Sequence, residues 1–342
     1  MKTLTHFKIL IVAITLSLGV SSCGDDPAPK KVDVYLGGQM RNASNVWQAA
    51  YWKNGVPTIL SAAQGYVEHV AVSKDGKNFY ALGESNDDTA HKTLWVNGAP
   101  TTMMNSITST QRVDDIEVSG GKVYVVGQEF APDLRAVVWV DGVKQYLVES
   151  GVNSGASDVF ILNNDVYYSG WISDMTGTKV VYWKNNAMTV VTPTSGDQYA
   201  FSMTVSGNDI YLLGEKDNEL GVWKNGTFTA LPGDNPSSYS YSNEIISIGS
   251  DVYVVGEDRD PVVGDYYSCY WKNGVKGWLD DKSMDYSTAI RIAKSSKDIY
   301  AVGYFEGANW YCGLWKNWTL AEPMFSKTEE DVYIESVAVA EY

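Results

Sequence analysis

The hexapeptide Tyr51-Trp52-Lys53-Asn54-Gly55-Val56 returns unchanged at Tyr270 to Val275, and variants of it fill the interval. Its tryptophans are Trp52, Trp95, Trp139, Trp183, Trp223, Trp271 and Trp315, seven copies at a period of roughly 44 residues. A Tyr followed three positions later by Gly precedes each of them, at Tyr35, Tyr80, Tyr124, Tyr167, Tyr211, Tyr253 and Tyr300. A unit this short cannot bury an apolar face alone, so the copies must stack on one another to make a core.

One unit can be read strand by strand. Asp115 to Ser119 and Lys122 to Gly127 alternate in polarity, Ala136 to Val140 is β-branched and aromatic, and Lys144 to Val148 follows the Asp141-Gly142 turn. These are four strands, A to D. Asn-Gly and Asp-Gly accept the positive φ that a two-residue type I′ turn demands at both centres, so the hexapeptide is the end of strand C plus its hairpin. The period matches four-stranded blades, and the fold class is all-β: a seven-bladed β-propeller of four-stranded antiparallel blades. A composition of 13% aromatic and 20% charged residues with 31 glycines suits short strands and tight turns. Val32 to Gly38 is already a B strand, whereas the last segment from Glu335 matches the A strand from Glu68. The C-terminal strand is therefore expected to complete the first blade, with Val337 and Val339 beside Val34.

The layout resembles kelch and WD40 propellers, and Tyr-x-x-Gly ahead of a later Trp is closest to kelch. Only the first unit carries a kelch-like double glycine, Gly37-Gly38, and no Trp-Asp pair ends a blade. The resemblance covers residues 32–342 and implies architecture alone, because propellers host unrelated functions.

The N-terminus reads as a leader. Lys2 and Lys8 flank the start of an apolar run, Ile9 to Val20, that is shorter than the roughly 20 residues a membrane span requires. Val20-Ser21-Ser22-Cys23 resembles the lipobox of bacterial lipoproteins. That resemblance implies removal of residues 1–22, acylation of Cys23 and a lipid anchor, with residues 23–31 as a flexible spacer. Gly24 stands where lipoproteins retained at the inner membrane carry Asp, so the implied address is the outer membrane, on either leaflet. A formal charge of −15 disfavours nucleic acid and anionic lipid surfaces, leaving the anchor as the only membrane contact.

Residues repeated seven times serve seven equivalent packing positions, so site candidates are those that break the repeat. The long B-to-C and D-to-A connections share one end of the propeller, which is the expected working face. Just after the B-strand glycine the units carry Gln39, Glu84, Gln128, Trp171, Glu215, Glu257 and Tyr304. Trp47 and Trp310, each five residues before a repeat Trp, are placed in B-to-C loops. Glu68, Asp114, Asp115, Asp158, Glu244 and Glu335 lie where strand A begins. Aromatic platforms beside amides and carboxylates suit a glycan, whose apolar C–H faces stack while its hydroxyls donate. The expected partner is thus a glycan or a protein, bound by a monomeric module.

Other chemistry has little support. No G-x-S-x-G, H-E-x-x-H or CxxC occurs, and no D-x-D-x-D-G calcium loop, so no cofactor or metal is expected. His69 and His91 lack a motif and read as structural. Catalysis is the lesser reading: a polysaccharide hydrolase or lyase using paired carboxylates, with Glu84, Glu215 and Glu257 as its acids. A scaffold subunit of an envelope complex is the third. Cys269 and Cys312 fall on opposite faces of their sheets, and two buried free thiols are expected in preference to a bridge.

Overall fold

The computed structural model describes residues 30–131, 133–192, 196–233, 244–279, 282, 285–307, 310–326 and 332–342. The leader, Cys23 and the spacer up to residue 29 lie outside the described residues.

β1 (Val32–Arg41) and β2 (Trp47–Lys53) are strands B and C of blade 1. The long β3 (Val56–Val72) is strand D of that blade and continues into strand A of blade 2, with β4 (Phe79–Ser85), β5 (Asp88–Val96) and β6 (Ala99–Thr101). Blade 3 is β7 (Gln111–Ser119), β8 (Lys122–Glu129), β9 (Arg135–Val140) and β10 (Val143–Tyr146). Blade 4 is β11 (Asn153–Leu162), β12 (Asp165–Asp174), β13 (Gly177–Lys184) and β14 (Ala187–Val190). Blade 5 is β15 (Gln198–Ser206), β16 (Asp209–Lys216), β17 (Glu219–Lys224) and β18 (Thr227–Ala230). Blade 6 is β19 (Ile245–Ile248), β20 (Asp251–Arg259), β21 (Tyr266–Lys272) and β22 (Val275–Trp278). Blade 7 is β23 (Tyr286–Lys294), β24 (Ile299–Glu306), β25 (Trp310–Lys316) and β26 (Thr319–Ser326).

The last strand, β27 (Val332–Glu341), pairs antiparallel with β1, Val339 opposite Val34 and Val337 opposite Leu36. It is strand A of blade 1. The first sheet edge is thereby occupied, and the seven-bladed ring closes on backbone hydrogen bonds between the two ends of the chain.

Two side chains of the repeat hold each blade. Asn54 and Gly55 have φ of 50° and 81°, the two positive values a type I′ turn needs. The turn residue also reaches back: Asn54 Oδ1 accepts the Val34 amide at 2.8 Å, tying the C–D hairpin to the start of strand B. Asn97, Asp141, Asn185, Asn225, Asn273 and Asn317 do the same at 2.8 to 2.9 Å. This bond explains why the first turn residue is always Asn or Asp while the second need not be Gly, as Asn186 and Trp318 show.

The seven tryptophans are all at most 1% exposed. Each belongs to a buried cluster shared by two adjacent blades, and seven such clusters form the core. Trp183, Trp271 and Trp315 donate their indole N–H to the carbonyls of Leu147, Pro232 and Leu279, just past strand D of the preceding blade, at 2.8 to 3.1 Å. Packing between blades, rather than within them, is where apolar surface leaves water. Cys269 and Cys312 are buried, form no disulfide and face away from each other. Cys269 packs between blades 5 and 6, and Cys312 between blades 7 and 1.

Candidate functional site

The inner strands line a central channel, and in every blade but the sixth the described pairing of strands A and B slips by one residue near the loop-rich end. The slips fall at Glu68, Asp114, Ser157, Phe201, Ile290 and Glu335. A bulge turns the side chain that follows it, so the next residue of every blade faces its neighbour around the ring. Those residues are Ser336, His69, Asp115, Asp158, Ser202 and Arg291, and Glu244 holds the same place in blade 6 by accepting the Val255 amide.

Most of this ring serves as a latch between blades. Ser336 Oγ accepts the Val70 amide at 3.1 Å, Asp115 the Val159 amide at 3.1 Å, and Asp158 the Met203 amide at 2.6 Å. Asp158 also accepts the Ser202 hydroxyl at 2.7 Å, Ser202 the Ile245 amide at 3.2 Å, and Glu244 the Ile292 amide at 2.8 Å. Two members depart from the pattern. Arg291 carries no acceptor, and His69, only 6% exposed, has a buried Nδ1 without a hydrogen-bond partner, 3.9 Å from Asp115.

Above the ring opens a cavity of about 360 Å³ lined by ring members and by residues of blades 3, 4 and 5. Trp171 and Gln128 form part of its wall. They come from β12 and β8, and both lie against Gly155 of β11: a Cβ there would stand 2.0 Å from Gln128 Nε2 and 2.8 Å from Trp171 Nε1. Blades 1, 2, 3, 5 and 7 carry Tyr333, Tyr66, Arg112, Tyr199 and Thr288 at the place of Gly155, so among the six blades described at this position only blade 4 leaves this opening. Tyr199 meets Trp171 edge-on, with centroids 5.8 Å apart. Gln128 is 4% exposed, and its side chain makes no hydrogen bond among the described residues.

The charges at the mouth are mixed. Asp114, Asp115, Asp158 and Glu244 line the cavity with Arg112 and Arg291, and Arg112 bonds Asp114 at 2.8 Å. Burial pushes Asp114 up to about 6 and Glu244 up to about 7. Burial and then the Asp158 charge raise Asp115 well above the ordinary carboxylate range, while burial followed by Arg291 and Lys92 lowers His69. Asp114 Oδ2 is another buried atom without a partner. Among the described residues no group of three or more His, Cys, Asp or Glu is arranged to hold a metal ion.

The other candidates lie elsewhere. Gln39 pairs through its backbone with Tyr333 and Ala49 in blade 1. Tyr304 donates to the Ile334 carbonyl at 2.7 Å, filling the blade 7–1 interface. Glu84 and Glu68 share Lys92, at 2.7 and 2.8 Å. Glu257, 3% exposed, accepts the Tyr286 hydroxyl at 2.5 Å, and Glu215 is paired in β16 opposite Tyr199. Glu84, Glu215 and Glu257 thus belong to three different blades and none lines the cavity. Trp47 and Trp310 are strand residues rather than loop residues, opposite Arg41 and Glu306, because strands B and C continue almost to their connection. Trp47 packs on Tyr333 with the Arg41 guanidinium 5.1 Å from its ring centre, and the side chain of Trp310 lies outside the described residues.

The lining residues that sequence reasoning missed include Arg112, Tyr199 and Arg291, together with His69, which it read as structural. For His69 and Arg291 the available signal was a basic side chain at a ring position where other units place an acceptor.

Fold and mouth together define a closed seven-bladed β-propeller with a small polar cavity at the loop-rich end of its channel. Among solved structures, the β-propeller domain of the trilobed protease from Pyrococcus furiosus matches at TM-score 0.52 and 10% identity, covering 87% of this chain and 95% of that one. That domain is described as having an open velcro topology. The acylaminoacyl peptidase of Pyrococcus horikoshii matches at TM-score 0.53 and 13% identity over 87% of this chain, which spans half of that protein's length. These likenesses concern the fold alone. No protein-family model matches the chain, and no curated protein matches it in sequence.

Proposed function

We propose that the protein is a glycan-binding propeller, held at the outer membrane by lipid on Cys23, that takes the end of a saccharide into the cavity at its loop-rich mouth. The observation that carries this reading is the pairing of Gln128 and Trp171 over Gly155, an amide lacking an internal partner beside a half-buried indole. The Gln128 amide opens into the cavity with no partner from the protein, which leaves it available to a ligand hydroxyl. Trp171 and Tyr199 offer faces for apolar C–H groups, and the carboxylates accept hydroxyl donors. A concave pocket of this size suits a sugar terminus better than a flat protein surface. Lipid on Cys23 would leave the propeller tethered by a short polar spacer.

The test is a glycan array with the purified full-length protein, followed by titration of the best binder against Trp171→Ala and Gln128→Ala. Loss of about tenfold or more in affinity for either variant is expected. Binding that survives both substitutions would move the site away from this mouth. Globomycin-sensitive processing and loss of membrane association in Cys23→Ser test the anchor.

A further inference from the structure

We infer that the ligand of this mouth carries a protonated amine, seated against the Asp115 and Asp158 carboxylates beside the aromatic wall. The inference rests on the glycan-binding reading and narrows it to amino sugars. Four carboxyl groups face two guanidinium groups here, and no lysine lines the cavity.

The two guanidinium groups serve the other two acids. Arg112 is bonded to Asp114, and Arg291 acts on Asp114 and Glu244. The charges acting most strongly on Asp115 are instead Asp158 and Glu244, both carboxylates, and its nearest basic neighbour is His69, which burial keeps from charging. Neither aspartate can swing away to solvent: the Val159 amide holds Asp115, and the Met203 amide with the Ser202 hydroxyl holds Asp158. The two carboxyl groups lie within hydrogen-bonding reach of each other and hold a proton between them, the place an ammonium takes when it binds.

Two further observations point to a ligand rather than a self-contained cluster. His69 Nδ1 is buried at the cavity wall without a partner, and the 4%-exposed Gln128 amide is likewise unbonded. The described acids do not cluster as a metal site, whereas an ammonium needs only two or three acceptors and gains from a neighbouring ring face.

Calorimetric titration of the full-length protein at pH 7 uses four probes: a β-1,4 glucosamine trimer, its N-acetylated form, cellotriose and benzylammonium. The glucosamine trimer is expected to bind about tenfold or more tightly than the N-acetylated trimer. Asp115→Asn, which keeps an acceptor for the Val159 amide, is expected to bring that ratio close to one. Equal binding of the three sugars overturns the amine inference and leaves the glycan reading standing. Binding of benzylammonium without any sugar supports the amine inference and removes the glycan reading. Silence from all four probes overturns both. The four wild-type titrations decide the matter even if the variant does not fold.

Discussion

The Lys272 ammonium stands 2.8 Å from the Asp251 carboxylate and 5.4 Å from the centre of the Tyr253 ring, joining the end of strand C to the start of strand B. Lys53 with Asp33, Lys184 with Asp165, Lys224 with Asp209 and Lys316 with Asp298 repeat the arrangement at 2.7 to 3.0 Å. Where the lysine is lost, the aspartate is lost too: blade 2 has Val96 with Asn78, and blade 3 has Val140 with Lys122. The lysine of the repeated hexapeptide is therefore half of a pair whose other half lies two residues before the repeat tyrosine.

Exposed ion pairs contribute little, so Lys272→Val should lower the melting temperature only slightly. The informative comparison is the double substitution Lys272→Val with Asp251→Asn, which should lie closer to wild type than the sum of the single changes. Strict additivity in a thermal double-mutant cycle would show the pair to be uncoupled.

Trp183 fills the interface between blades 3 and 4 and donates to Leu147 across it. Trp183→Ala should cost about 3–5 kcal/mol in urea unfolding. Trp183→Phe should cost less, because the ring volume is largely kept and only the N–H bond to the preceding blade is forfeited.

Gly155→Ala is expected to affect binding rather than stability. Its new methyl group collides with the end of Gln128 and the edge of Trp171, so the clash falls on cavity side chains rather than on the backbone. Circular dichroism melts should stay close to wild type while affinity for the best array glycan falls about tenfold. A large drop in melting temperature with unchanged affinity would contradict the role assigned to this opening.

The channel makes stability depend on pH. Burial raises Asp114 to about 6 and Glu117 and Glu244 to about 7, and it raises Asp115 with help from the Asp158 charge. Such a carboxyl group binds more protons folded than unfolded. Its stabilising contribution is complete below about 4 and is lost as pH rises through the folded value. His69, held low, opposes this as one group against four, since its contribution is lost on acidification. The melting temperature should therefore fall between about pH 5 and about pH 8, and less steeply in Asp115→Asn. A rise across that interval would contradict the burial of these acids.

The sequence by itself determined the blades. Period, Asn-Gly turns and the unmatched first and last strands sufficed for seven four-stranded units and for Val339 beside Val34, because strand pairing and hairpin geometry are local and repeat with the chain. The Lys–Asp pairing was legible there as well, in the joint loss of both residues from blades 2 and 3. Only the tertiary structure decided the mouth. Candidates in equivalent positions looked alike in sequence, yet Gln128 and Trp171 meet over Gly155 while Tyr304 and Glu257 are consumed by neighbouring strands. Equivalent residues differ in what faces them from the next blade, and that neighbour is set by closing the ring. The same closure brings Asp115 to Asp158 from a blade away and sets His69 at the cavity wall beside Asp115, a juxtaposition that no local pattern encodes.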